Sequence, residues 1–502
     1  MYSKQVLRQY QTPETTGKRA LNDNPLSDEL SAERTAALDA WLPWAPVSLL
    51  QQRLHSGELT SRQLARYFIG RIRRKVVLNA VGELNPDALE LAGRLDAGPR
   101  TGPLHGIPVL LKDNISTGDQ MHTTAGAAVL EHFQAGADSF VAQKLRAAGA
   151  LILGKANLSE WANFMTSTSA NGFSVLGGQV RNPYGKFDVS GSSSGSAAAV
   201  AAGLVPLAVG TETCGSLIAP GSANSLAVLK PTLGLVSRRG IIPITAVTDT
   251  AGPMARNVAD LALLLQAMVG PDPDDPVTLQ PQVQQAVDWP GFVDTDGLRG
   301  LRLGFVSRRK PRPAERELIE GCTRVLRACG AEVVHLSTRR AAPWHEIIQV
   351  FCYGMQHDLA GYFRSMPGPA PVSSLAEVIA FNQADLPNRA PFGQDLLERS
   401  QAISLTPAQH SALVEKIRTV TGGELRRLRG ESQADLLVSL DGSHAGYYAI
   451  AGFPALTVPG GYRKAGKPFG LTFVGQPFED GRLIAAAYAF EQAAQARVVP
   501  VI

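Results

Sequence analysis

The chain is predicted to be an α/β protein with its strands buried between helical layers. Short apolar runs recur from residue 104 onward, at Val109–Leu111, Leu151–Leu153, Val205–Val209, Leu301–Val306, Leu436–Leu440, Ala455–Val458 and Leu471–Val474. Several are continuous rather than alternating, as expected of strands covered on both faces. Between them lie helical segments with recognisable stripes and caps, the alternation that defines an α/β sheet.

In chain order, residues 1–46 are polar, with Pro13, Pro25 and the Trp41-Leu42-Pro43-Trp44 cluster, and read as an extension draped on a body that spans 47–502. A helix over Ser48–Leu54 ends at Gly57. A second is capped by Thr60 or Ser61 and carries the stripe Leu64, Ala65, Phe68, Ile69 and Ile72. Asn157 is read as the cap of a further helix. Residues 271–290, rich in Pro, Asp and Gln, form a surface excursion. Ser374-Leu375-Ala376-Glu377 is a capping box inside a mostly helical insert from about 345 to 430. No internal repeat is apparent.

Composition narrows the function. A formal charge of +4 comes from 48 basic and 44 acidic residues of scattered sign, so neither a nucleic-acid stripe nor a polybasic membrane patch is expected. The four cysteines lack zinc-ligand spacing and are too few for a disulfide framework, which points to a reducing compartment. The nine histidines are scattered, without a His-Glu-x-x-His pair. The first 34 residues lack the apolar core of a signal peptide, and no stretch of about 18 apolar residues follows. The expectation is a cytoplasmic protein that needs no metal or organic cofactor.

The chemistry concentrates in two serine blocks and one lysine. Gly191-Ser192-Ser193-Ser194-Gly195-Ser196 opens into Ala197–Gly203, and Gly210-Thr211-Glu212-Thr213-Cys214-Gly215-Ser216 follows. The flanking glycines permit unusual backbone angles and a close substrate approach. A flexible Gly/Ser linker is the plain alternative, but linkers do not run directly into a helix-compatible alanine segment. The second block follows a strand, so the amides of Thr213, Cys214, Gly215 and Ser216 are placed to meet a developing oxyanion beside Ser216 as nucleophile. On its own that block also reads as an ordinary strand-to-helix turn. Lys112 closes the apolar run Ile107–Leu111. Burial of its stem lowers an amine's proton affinity and leaves a neutral base. Lys155 competes for that role; its stretch Gly149–Ala156 nearly matches a phosphate loop, but Ala156 replaces the required Ser or Thr.

Together these segments resemble the amidase signature family from about residue 47 to the C-terminus. The matching elements are Gly106–Pro108 through Lys112-Asp113-Asn114, Gly154–Trp161, Gly191–Gly203, Gly210–Ser216 and Leu229–Gly234. The resemblance implies one α/β domain with a long mixed sheet between helical layers. It also implies a triad of Lys112, Ser192 after a cis peptide bond, and Ser216. Within the family, the bacterial peptide amidases look closest, through Gly177–Tyr184, Gly234–Arg238 and Ser374–Gln383. They imply a small-molecule or peptide amide substrate and release of ammonia. Cys214 stands where the family usually has Asp or Gly, and the segment 441–446 is shorter than the expected proline-bearing loop. A shorter wall widens the pocket toward bulkier amides, anilides or carbamates.

Other readings remain open in the sequence. Gly191-Ser192-Ser193-Ser194-Gly195 matches the nucleophile elbow of an α/β-hydrolase esterase, with Ser193 as nucleophile and Asp435 or Asp441 with His444 as partners. Lys186–Val189 is a poor buried strand for that fold. An amidotransferase component dependent on a protein partner is a third reading. Trp161, Phe164, Met165, Ser193 and Tyr448 are candidate substrate contacts, with the aromatic residues and Met165 equally compatible with core. Cys214 has no polarising neighbour in sequence and is read as lining the pocket.

Overall fold

The structure, a computed structural model, describes residues 31–502. It begins with helix Ala32–Asp39, whose cap Ser31 Oγ accepts the Arg34 amide. Leu38, Leu42 and Ala45 enter the main core, and Asp39 accepts hydrogen bonds from Tyr67 (2.5 Å) and Arg71 (3.2 Å). Residues 31–46 thus contribute side chains to the main core, while the rest of the N-terminal extension lies outside the described residues. Helices Val47–His55 and Ser61–Arg74 follow, the second with a full Thr60/Gln63 capping box and the expected stripe buried.

Eleven strands form the central sheet: β1 Val81–Leu84, β2 Pro108–Lys112, β3 Leu151–Ala156, β4 Leu207–Glu212, β5 Ala227–Lys230, β6 Thr250–Ala255, β7 Arg302–Val306, β8 Glu332–Leu336, β9 Leu436–Leu440, β10 Ala455–Tyr462 and β11 Pro468–Val474. Their order is β1-β3-β2-β4-β6-β5-β10-β11-β9-β7-β8. The pairs β2/β3, β2/β4, β9/β7 and β8/β7 are parallel and the remainder antiparallel, so the sheet is mixed. All seven apolar runs became strands. β1, β5, β6 and β8 carried no such signal: β6 contains Gly252 and Pro253, and β8 is an edge strand of mixed polarity. Pro253 is accommodated because β5 reaches only Met254 and Ala255, leaving no ladder on that side to need its missing N–H.

Helices cover the sheet and divide the interior into two apolar clusters. The first holds helix Ser194–Ala201, every residue of which is buried, with the strands of the N-terminal half. The second lies under the helical insert, which comprises Trp344–Ser365, Leu375–Gln383, Leu386–Arg389, Asp395–Gln401 and Pro407–Ser432. Leu217 belongs to the first cluster and Ile218 to the second, so the turn carrying Ser216 sits where they meet.

Two local expectations are corrected. Ser374 does cap its helix through the Glu377 amide, but the Glu377 carboxylate binds the amide and hydroxyl of Ser373, so the box is displaced by one residue. After Asn157 there is no regular helix. Trp161, Ala162 and Asn163 are left-handed, with φ of 49°, 54° and 71°. The Asn157 side chain instead bonds the Asn79 and Gly177 carbonyls, and the Trp161 amide is held by Ala125 O. These tertiary contacts override the local cap.

Among the described residues no helix is long and apolar enough to cross a membrane. The fit of helix Ser194–Ala201 gives a stability test. A Cβ on Gly195 would run into the backbone of Ala80 and Asn157, whereas one on Gly423 meets nothing within 4 Å. Gly195→Ala is expected to lose more than about 2 kcal/mol, and Gly423→Ala to gain about 0.5 kcal/mol, both read from urea unfolding midpoints.

Candidate active site

Lys112, the last residue of β2, is fully buried. Its Nζ donates to Ser192 Oγ at 2.7 Å and to Thr211 Oγ1 at 2.8 Å, with Thr211 O at 3.4 Å. Asn114 Nδ2 also donates to Thr211 Oγ1, at 3.1 Å. All these partners are neutral. Burial therefore dominates and pulls the amine from 10.5 down to about 7, opposed by the more distant charges of Asp249 and Glu212.

Ser192 follows a cis Gly191–Ser192 peptide bond and is also fully buried. Its carbonyl accepts the Ser159 amide at 3.1 Å, and the next amide, that of Ser193, donates to Ser216 O at 3.3 Å. This bond joins the two serine blocks through the backbone; among the described residues the Ser192 and Ser216 hydroxyls are not hydrogen-bonded to each other. Ser216 is only half-buried, unlike Lys112 and Ser192.

The strand before Ser216 runs to Glu212, beyond Gly210, where the turn was expected to start. The turn beyond it is built by Glu212 and Gly215. Glu212 Oε2 accepts the amides of Leu217 at 2.8 Å and Ile218 at 3.1 Å. Gly215 has φ of +93°, which excludes a side chain without strain. No acceptor among the described residues takes the amides of Thr213, Cys214, Gly215 or Ser216. Four free donors thus lie in the turn that carries the half-buried Ser216. Sequence reasoning missed the roles of Thr211 and Glu212; a hydroxyl and a carboxylate inside a buried strand were the available signal.

The other candidates have the following surroundings. Ser193 Oγ donates to Thr211 O (2.9 Å) and accepts from Thr211 N (3.1 Å), fully buried, so it clamps a strand and is not open to substrate. Trp161, Phe164, Met165 and Tyr448 all lie in the second apolar cluster, with Trp161 Nε1 and the Tyr448 hydroxyl buried without partners among the described residues. Cys214 is half-buried at the rim of that cluster, and burial pushes its thiol up, away from thiolate chemistry. Lys155 Nζ donates to Ile115 O at 2.7 Å and Thr123 Oγ1 at 3.0 Å. No serine is in its reach among those bonds. The esterase arrangement is not formed: Asp435 pairs with Arg482, Asp441 pairs with Arg463, and His444 Nδ1 is buried without a partner, its imidazole pulled down to about 4 by burial.

The structure thus has an eleven-stranded mixed sheet between helices and a buried lysine on a serine beside a turn of free amides, and its similarity to known proteins gives the class. The Amidase family model matches residues 63–399. The chain is 40% identical to the native peptide amidase from Stenotrophomonas maltophilia, covering 91% of this chain and 98% of that one with a TM-score of 0.87. It is 37% identical to an amidase family protein from Bacillus anthracis, covering 94% and 95% with a TM-score of 0.90. It is 31% identical to a subunit of the glutamyl-tRNA(Gln) amidotransferase of Synechococcus, over 89% of this chain and 96% of that protein. The chain belongs to the amidase signature family and is an amide-hydrolysing enzyme.

The placement of Ser193 makes a prediction. Ser193→Ala leaves the Thr211 amide unsatisfied and is expected to cost about 1–2 kcal/mol of stability in urea unfolding, while labelling by a fluorophosphonate persists. Loss of labelling in a folded Ser193→Ala protein would return Ser193 to the reaction.

Proposed function

We propose that the enzyme hydrolyses terminal or primary amides through an acyl-enzyme, with Ser216 as nucleophile, Ser192 as relay and Lys112 as base. The observation that carries this reading is the 2.7 Å contact of Lys112 Nζ with Ser192 Oγ at an amine that burial keeps near neutrality. The Ser216 proton passes to Ser192 as the Ser192 proton passes to Lys112, and the Ser216 oxygen bonds to the amide carbon. The amides of 213–216 receive the oxyanion. The carbon–nitrogen bond then breaks as the leaving nitrogen takes a proton back through Ser192 from Lys112, releasing ammonia or an amine. Water, activated by the same pair, cleaves the ester to Ser216.

The substrate class rests on likeness to the peptide amidase and on the short 441–446 segment, whose Ala445 packs close to Gly215. C-terminal peptide amides are the preferred substrates, with small aryl amides and carbamates turned over more slowly. The amidotransferase relative favours a second reading, in which activity depends on a protein partner. Ammonia release by the purified chain alone decides against it.

Four outcomes are expected. Ser216→Ala abolishes turnover and fluorophosphonate labelling in a peptide map. Across a panel of peptide amides, anilides, carbamates, fatty amides and esters, peptide amides show the highest kcat/KM; rapid turnover of aryl esters with none of any amide would sink the assignment. Lys112 is competent only when neutral, so kcat/KM falls as pH drops below about 7, rather than below the pH 4–5 of a carboxylate base. Lys112→Ala removes at least about 100-fold of amide turnover, and Lys112→Arg does not restore it because guanidinium stays protonated.

A further inference from the structure

The row of free amides is held at both ends by a carboxylate. Downstream, Glu212 Oε2 takes the amides of Leu217 and Ile218. Upstream, Thr213 Oγ1 donates to Asp249 Oδ1 at 2.5 Å. The register explains why: β6 pairs antiparallel with β4, with Thr250 opposite Glu212, so Asp249 just before β6 faces Thr213 just after β4.

Asp249 is itself firmly placed. Its Oδ2 accepts the amides of Ile244 at 2.8 Å and Thr245 at 3.0 Å, and its own amide donates to Thr245 O at 3.2 Å. That loop is docked on helix Trp344–Ser365: a Cβ on Gly354 would strike Thr245 and Ile244 O, and Asp358 Oδ2 takes the Ala246 amide at 2.7 Å. Thr213 is thus tied through one carboxylate to a segment that is packed against the helical insert.

We propose that Asp249 is a positioning residue for amide hydrolysis, fixing through Thr213 the upstream end of the amide row that receives the oxyanion. The inference rests on the assignment of that row and of Ser216. A misaligned row binds the planar ground state nearly as well but the tetrahedral intermediate less well, so the loss falls on kcat rather than KM. Asp249 has an electrostatic consequence too. Its negative charge, with that of Glu212 on β4, favours the protonated form of Lys112 on β2. Of the groups facing Asp249, Asp358 on the insert helix repels its charge, and burial with that repulsion raises its carboxyl to about 6.

The test uses Asp249→Asn, Thr213→Val and Thr213→Ser with a peptide amide. Asp249→Asn and Thr213→Val are each expected to lower kcat about 10-fold or more, up to the 100-fold range for a lost oxyanion donor, with KM within about twofold. Thr213→Ser keeps the hydroxyl and recovers most of kcat. The Thr213→Val/Asp249→Asn double variant is no worse than the poorer single variant, because both act through one hydrogen bond. In Asp249→Asn the acid limb of kcat/KM moves to lower pH, since Lys112 loses a negative neighbour, while in Thr213→Val it stays in place; the limb therefore reports the charge, and the kcat loss shared by the two variants with its recovery in Thr213→Ser reports the positioning. The proposal is overturned if Asp249→Asn retains kcat within twofold, wherever the limb falls, or if Thr213→Ser is as impaired as Thr213→Val. The Thr213 pair decides alone if Asp249→Asn does not fold. Fluorophosphonate labelling of Ser216 in the wild-type enzyme tests the underlying assignment separately: its absence overturns that reading, and its presence leaves the Asp249 outcome to stand by itself.

Discussion

A buried amine surrounded by neutral hydrogen-bond partners is the constraint on which the site depends. Taking an ammonium out of water is costly unless a carboxylate meets it at contact distance. Around Lys112 Nζ the contacts are Ser192 Oγ, Thr211 Oγ1 and Thr211 O, none of them charged. Desolvation therefore outweighs the distant pull of Asp249 and Glu212 and lowers the amine to about 7. Three lysines at strand ends are fully buried: Lys112, Lys155 and Lys230. Lys155 bonds a carbonyl and a threonine, and Lys230 bonds the Pro231 carbonyl. Burial lowers the proton affinity of all three, but among their hydrogen bonds Lys112 alone reaches a serine hydroxyl, and that serine leads to the second block.

The surrounding packing serves this arrangement. Helix Ser194–Ala201 can lie close on the sheet because its residues are small, and the Gly195 amide bonds Asn157 O directly. That contact brings the first serine block against the segment 157–163. There the left-handed turn at Trp161–Asn163 stores backbone strain, on the order of 1–2 kcal/mol per residue, and directs Trp161, Phe164 and Met165 into the second apolar cluster. Strain of this kind persists only where neighbours over-determine the backbone. Here the neighbours are Ser192 O on the Ser159 amide and Ala125 O on the Trp161 amide.

Much of the fold and of the site was legible in the chain. The seven continuous apolar runs are strands because two-sided burial demands continuous apolarity. Lys112, Ser192 and Ser216 stood out because a lysine ending such a run, and serines set among glycines, have few purely structural uses. The four strands that were missed had no autonomous signal: β5 is short, β6 is made of small residues with a proline, and β1 and β8 are edges. The helix expected after Asn157 failed for the opposite reason, since a good local cap was outbid by contacts from distant carbonyls.

The sequence by itself determined the α/β class and the amidase resemblance and singled out the lysine and serines as candidates, all readings carried by local composition and spacing. Only the tertiary structure decided that Ser193 is a strand clamp, that Lys155 hydrogen-bonds a carbonyl and a threonine rather than a serine, and that among the described residues His444 Nδ1 is buried without a partner. It alone brought Asp249 opposite Thr213. That pairing depends on the antiparallel register of β6 on β4, and register between strands 38 residues apart, as Glu212 and Thr250 are, is set by how the whole sheet packs rather than by any stretch of chain.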